Sequence, residues 1–346
     1  MRGLILGCLI LLLLAVPANA MDFAAPEVPQ SAIDYMPDET ENFGQGLLFV
    51  IQEAVRKIQP GLTEAMGTCA AVVGVTIAIG MLSCFSDKKN VAFELAGSLI
   101  VSLLLLQPAK SLIRLSTQTI AEISQYGKML LPVMTGALAA QGGITRSAAI
   151  YTGAAFFNML LTSVISDLLI PLVYIFISLS VVSRSFPGQI LDELRKFLKW
   201  FMSWGLKIIL YVFTGYISIT GIVSGSTDAA MLKATKLTIS GMVPVVGGIL
   251  SDASEAVLVS AGLVRNSVGI YGLLAITAIW IGPFLKIGVQ YLCMKLTAGI
   301  CRMVGTKSIA EVVNDFSETM GILLGMTGAM CLIVLISTVC FMKGVG

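Results

Sequence analysis

From residue 147 to residue 183 the chain carries a single charge, Asp167. A helix of that length outruns a hydrocarbon core of about 30 Å, which about 20 residues cross, so the sequence predicts two spans, 147–165 and 167–183, with a reversal near Ser166 and Asp167. Further apolar runs cover residues 62–85, 91–107, 129–140, 200–223, 268–281, 283–303 and 321–341. Hydrophobic residues make up 56% of the chain and charged residues 12%, about half the charge of a soluble domain, and mean hydropathy is +0.91. Such a surface is one that lipid, not water, must cover. The expected fold is all-α and polytopic, with about 8 to 10 membrane segments.

The N-terminus reads Arg2, an apolar run through Val16, then Pro17 and Ala18-Asn19-Ala20. This is the pattern of a cleavable secretory signal over residues 1–20. Residues 21–44 then hold six acids, three prolines and no lysine or arginine, which predicts a flexible acidic tail on the exported side. Residues 45–127 read as an amphipathic helix followed by the first two transmembrane helices. In that helix Leu47, Leu48, Ile51, Val55 and Ile58 lie opposite Glu53, Arg56 and Lys57, as on a membrane surface.

The remainder divides into two membrane repeats, 128–225 and 226–346. Leu131-Pro-Val-Met-Thr-Gly-Ala-Leu138 aligns with Val243-Pro-Val-Val-Gly-Gly-Ile-Leu250, and the same spacing pairs Pro171 with Pro283. Seven residues further on, Ile190 and Phe197 fall on Ile309 and Phe316, in two amphipathic stretches that each precede a span. The pattern reads as a tandem repeat of a four-segment unit. Gly- and Pro-interrupted segments in equivalent places point to a central pathway, so Pro132, Gly136, Pro244, Gly247, Gly248, Pro171 and Pro283 are candidates to line it. Kinks or tight turns that only serve packing explain them as well.

Ionisable residues inside apolar spans are functional candidates because each is costly there. Lys207 and Lys286 lie deepest. Glu94 and Lys295 are near enough to span ends to reach an interface by snorkelling. Two amphipathic faces, Ile190-Leu194-Phe197 and Ile309-Val313-Phe316, are candidate docking helices for cytoplasmic partners, and Ser308 with Glu311 reads as a capping box.

Catalysis is not expected. The chain has no histidine, which removes the commonest general base and metal ligand, and its cysteines show no CxxC spacing. No phosphate loop, serine-nucleophile elbow or zinc pattern is present, so no catalytic, cofactor or metal site is assigned. A net charge of +2 with no basic face argues against nucleic acid as a partner.

Lys233-Ala-Thr-Lys-Leu237, the stretch from Val243 to Asp252, and Ser260-Ala-Gly-Leu-Val-Arg-Asn-Ser-Val-Gly269 resemble the stage III sporulation protein AE family of endospore-forming Firmicutes. The signal peptide, acidic tail and polytopic body match its architecture. The resemblance implies a multi-pass protein of the mother-cell membrane surrounding the forespore. There it would be a permease-like subunit of a channel or secretion-like complex that sustains late forespore gene expression. Implied partners are other proteins of the same operon, including a secretion-type ATPase and ring-forming subunits, and indirectly a forespore membrane protein. The alternative reading is a stand-alone secondary transporter of a small solute.

Overall fold

The computed structural model describes residues 25–37, 42–84, 91–140, 144–185, 189–219, 267–304 and 307–343. Among them there is no strand. A short turn of helix, α1 (Gln30–Ile33), precedes α2 (Phe43–Arg56) and α3 (Gln59–Cys84). Then come α4 (Val91–Ala140), α5 (Ile144–Ser163), a π-helical turn (Val164–Leu169), α6 (Ile170–Ser185), α7 (Gln189–Ile219), α8 (Ser267–Met303) and α9 (Lys307–Lys343). Six helical stretches among the described residues are long and apolar enough to cross a bilayer, and the protein is a multi-pass membrane protein.

Helix α9 is the core. From residue 321 to residue 341 it carries no charge on any side, and 94% of its most apolar stretch lies inside the protein, against 28% for α3 and α7. A helix without a polar face has no water-facing option, so the others wrap it. Helix α4 meets it along a stripe of small residues that lets the backbones approach closely. A side chain at Gly97 would start 2.9 Å from Ile309 Cδ1, one at Gly127 would start 3.2 Å from Val334, and between them Ser116 reaches the Leu323 carbonyl at 3.5 Å. Hydroxyls on this stripe are satisfied within their own helix: Ser102 donates to the Ser98 carbonyl at 2.6 Å and Thr119 to the Leu115 carbonyl at 2.8 Å. Asn158 and Thr162 of α5 bond to Ser124 of α4, at 3.3 Å to its carbonyl and 2.9 Å to its hydroxyl.

The predicted breaks give way to long continuous helices. No reversal occurs at Ser166 and Asp167. The chain passes through the π turn, whose extra residue keeps Ile165 and Leu169 buried while Ser166, Asp167 and Leu168 face out. Helix α4 likewise runs through Pro108 and Pro132, joining segments that the sequence reads as a span, an amphipathic helix and a second span. Packing against α9 holds it straight enough to absorb the lost proline hydrogen bonds. Helix α8 runs through Pro283 in the same way, and α7 and α9 each fuse an amphipathic stretch to the span after it. The N-terminal stretch expected to be flexible is ordered over residues 25–37: Ala32 is fully buried, and Ser31 donates to Glu122 Oε2 at 2.7 Å.

Contacts along the helices fix their heights. Thr76 of α3 meets Cys301 of α8 at 3.3 Å across 225 residues, and a side chain at Gly61 would start 3.5 Å from Lys286, so α3 and α8 are parallel. The C-terminus of α3, the start of α4, the start of α7, the end of α8 and the start of α9 therefore share one plane, the lower end. From it α3, with 26 residues, rises about 39 Å, the right length for one crossing. With 50 residues, α4 rises about 75 Å, so the bundle overshoots the top of α3. At that upper level lies α2. It buries Phe43, Val50 and Ala54 and leaves Leu48, Ile51 and Val55 exposed, as an interfacial helix requires.

Leucine at Gly97 should test the α4–α9 contact. Its Cβ meets Ile309 and Ile79 at 2.9 and 3.0 Å, and overpacking of this kind costs about 1–3 kcal/mol. A lowered thermal midpoint in detergent is expected; an unchanged one contradicts the packing.

Candidate functional site

Two of the cations of α7, Arg195 and Lys199, turn inward. Along α7, Arg195, Lys199, Met202, Leu206, Leu210, Phe213 and Ile217 recur at three- and four-residue steps and face the bundle. Ile190, Leu194, Phe197, Trp200 and Trp204 point outward, with Ile190 83% exposed. Their rings form a ladder: Trp200 and Trp204 stack at 5.4 Å, and Phe197 lies 6.0 Å from Trp200. An apolar side out and a charged side in is the arrangement lipid selects.

Three helices close the site. Arg195 pairs with Asp315 of α9 and with Asp192 one turn earlier on its own helix, at 3.3 Å. Lys199 pairs with Glu318 of α9, and Lys295 of α8 reaches the same carboxylate at 3.2 Å. Lys295 also donates to Asn314 Oδ1 at 2.8 Å. Asp315 and Glu318, one turn apart on α9, thus receive cations from both flanking helices, and Glu318 is shared between α7 and α8.

Its depth is set by α3. Cys69, midway along α3, hydrogen-bonds with Thr297 and faces Cys293, so Lys295 sits level with the middle of a helix whose length matches the bilayer. Ionic residues at that depth cost about 2.5–3.5 kcal/mol each to insert alone, and pairing them removes much of that penalty. Lys295 therefore does not snorkel to an interface; a carboxylate and an amide meet it inside.

A second polar cluster lies at the upper level. Lys286 pairs with Glu64 of α3 at 3.1 Å. Beside it a cavity of about 250 Å³ is lined by Tyr35, Lys57, Leu115, Gly282, Pro283 and Lys286 among others. Lys57 reaches Asp34 at 3.0 Å and Glu53 at 3.6 Å. The hydrogen bond it donates to Asp34 holds the Lys57 ammonium above the ordinary lysine range. The tie is thus complete below the usual lysine pKa and is lost only as pH climbs through the raised value.

The sequence candidates distribute as follows. Pro283 lines the cavity, Pro171 is exposed just above the π turn's end, and Pro132 is exposed on α4 with Gly136 half-buried nearby. Pro244, Gly247 and Gly248 lie outside the described residues. Lys207 is exposed on α7, while Lys286 is paired. Ile309, Val313 and Phe316 are not a docking face, because all three are buried against neighbouring helices, Ile309 below Gly97 and Ile79. Ser308 lies inside the first turn of α9, which starts at Lys307, and its hydroxyl donates to Glu94 of α4 at 3.2 Å. Among the described residues no group of three His, Cys, Asp or Glu side chains could hold a metal.

The ion cluster left a readable trace. Arg195 and Lys199 are four residues apart, Asp315 and Glu318 three, and the 120-residue separation of Arg195 and Asp315 is close to that of Ile190 and Ile309. α7 and α9 are parallel neighbours whose opposite charges meet.

Among known proteins, a family model described as Stage III sporulation protein AE matches residues 50–344. A Bacillus subtilis (strain 168) protein named Stage III sporulation protein AE is 24% identical over 234 residues, or 68% of this chain. The chain spans 58% of that relative's length. No solved structure matches.

Replacing Asp315 with alanine takes the α9 carboxylate from Arg195 and leaves it Asp192 of its own helix, a loss expected to cost about 3 kcal/mol. The exchange Arg195→Asp with Asp315→Arg should recover most of it. Thermal unfolding in detergent reads both; equal loss in the single and double variants contradicts the pairing.

Proposed function

Because the chain belongs to the stage III sporulation protein AE family, and so has a role in sporulation, we propose that it serves as a permease-like membrane subunit of a channel or secretion-like complex between mother cell and forespore. The observation that carries the reading is the ion cluster at mid-depth of the bundle. A protein that only anchored partners would have no use for three cations and their carboxylates at the depth where lipid makes them most costly. Proteins that move solutes place polar groups there, between helices that shift against each other.

The secretory-signal pattern predicts an exported N-terminal stretch, which puts the upper end outside the cytoplasm. The lower end, whose joining sequence carries Lys88, Lys89, Arg184, Arg302 and Lys307, then faces the cytoplasm of the mother cell. The upper end, with α2 and the N-terminal segment, then faces the space between the two membranes. A secretion-type ATPase would meet the lower end and ring-forming subunits the upper.

A stand-alone secondary transporter of a small solute is the second reading, favoured by the same cluster, since Glu318 held by two helices is an element whose partner could change. Tagged protein from sporulating cells should bring down its operon neighbours, and the purified chain alone in liposomes should move no solute. Solute flux from the chain alone, abolished by Lys295→Met, would overturn the complex reading in favour of the transporter.

A further inference from the structure

At the upper level the chain places a segment of itself in a groove that its chemistry does not reserve for that segment. The walls are the joint between α2 and α3, the middle of α4 and the Gly282–Pro283 step of α8. All of them lie within the stretch that matches the family, whereas the occupying residues, 29–36, precede it.

The occupant is held by a few contacts of low strength. Ser31 bonds to Glu122 at 2.7 Å, Asp34 takes the Lys57 ammonium at 3.0 Å, and the Tyr35 ring lies 5.0 Å from the same ammonium. These ties are at the surface, where water screens such pairs and each holds weakly. Ala32 is the occupant's one fully buried side chain, and Tyr35 and Met36 are partly buried against the core beside it. Two of the walls belong to long helices, α4 and α8, that pack on α9, and the α2–α3 joint packs on α8 in turn.

What the groove recognises is legible in what fills it. Lys57 offers an ammonium to a carboxylate. Gly282 leaves a slot for a ring: a Cβ there would lie 2.9 Å from the Tyr35 hydroxyl and 3.1 Å from its ring. Ile58, Leu115 and Leu285 supply an apolar floor beneath the cavity. The demand is for a short extended or helical segment with an acidic residue next to an aromatic one.

We propose that this groove is a docking site for an exported segment of a partner protein that carries a carboxylate beside an aromatic ring, and that Asp34 and Tyr35 occupy it in the resting state. The partner's segment displaces residues 29–36, and the chain's own N-terminus sets the threshold for docking. The site is separate from the mid-depth ion cluster, so its failure would leave the permease reading standing.

The test uses the full chain in lipid nanodiscs and a fluorescent peptide of residues 29–36. Anisotropy compares wild-type protein with Asp34→Lys, which turns the Lys57 tie into a repulsion and frees the groove without touching the core. Saturable binding is expected to be about fivefold tighter to Asp34→Lys than to wild type, the size of one surface ion pair. It should fall when the peptide's aspartate becomes lysine or its tyrosine alanine, and when Gly282→Ala is added to the protein. Equal affinity for the two proteins, no saturable binding to Asp34→Lys, or indifference to the peptide changes would overturn the proposal. Dimers of Asp34→Lys with wild-type chain, dissolved by the peptide, would assign the groove to a second copy instead and overturn the partner reading.

Discussion

Asp315 and Glu318 of α9 neutralise cations from two different helices at a depth where neither water nor an interface is within reach, and the placement of α7 follows from that need. Arg195 and Lys199 must face inward, so the opposite side of α7 must be the apolar one, and Phe197, Trp200 and Trp204 are turned outward as a consequence. In water the same helix would be stable the other way round. The pairs thus set the rotation of α7 about its axis, while the apolar stripe from Met202 to Ile217 supplies most of its packing.

The second constraint is length. One crossing uses about 20 residues, yet α4, α8 and α9 have 50, 37 and 37. Among the described helices α3, with 26 residues, and α7, with 31, are near the length of one crossing, and the upper end of α3 marks where the lipid ends. At its upper end are gathered the interfacial helix α2, the Lys286–Glu64 pair, Pro283 and the docked N-terminal segment. This level is a boundary on every side of the bundle that the described residues cover, and the helices continue past it as a projecting core around the upper half of α9.

The all-α, membrane-embedded character was legible from apolar content alone, and the family from the residues around Val243 to Asp252. What the sequence hid was the sign of amphipathicity. Ile309, Val313 and Phe316 have the same periodicity whether the stripe faces a partner or a core, and periodicity says nothing about which side is solvent. Asp167 looked like a turn because a charge inside an apolar run is costly; a π turn that pushes it outward resolves the cost without a reversal. Lys295 looked able to escape because distance from a helix end is countable in sequence and a partner on another helix is not. The matching spacing of Arg195 and Lys199 with Asp315 and Glu318 was the available signal, visible only once the two helices are laid side by side.

The claim on which this account rests is that the ion pairs of α7, α8 and α9 lie at the centre of the bilayer. A nitroxide on cysteine at position 200, on the outer side of α7 next to Lys199, reports that depth by power saturation in liposomes. High collision with oxygen and almost none with a water-soluble nickel chelate, as for a lipid-chain label near mid-bilayer, is the predicted result. Ready collision with the nickel chelate would put this part of α7 in water and contradict the account.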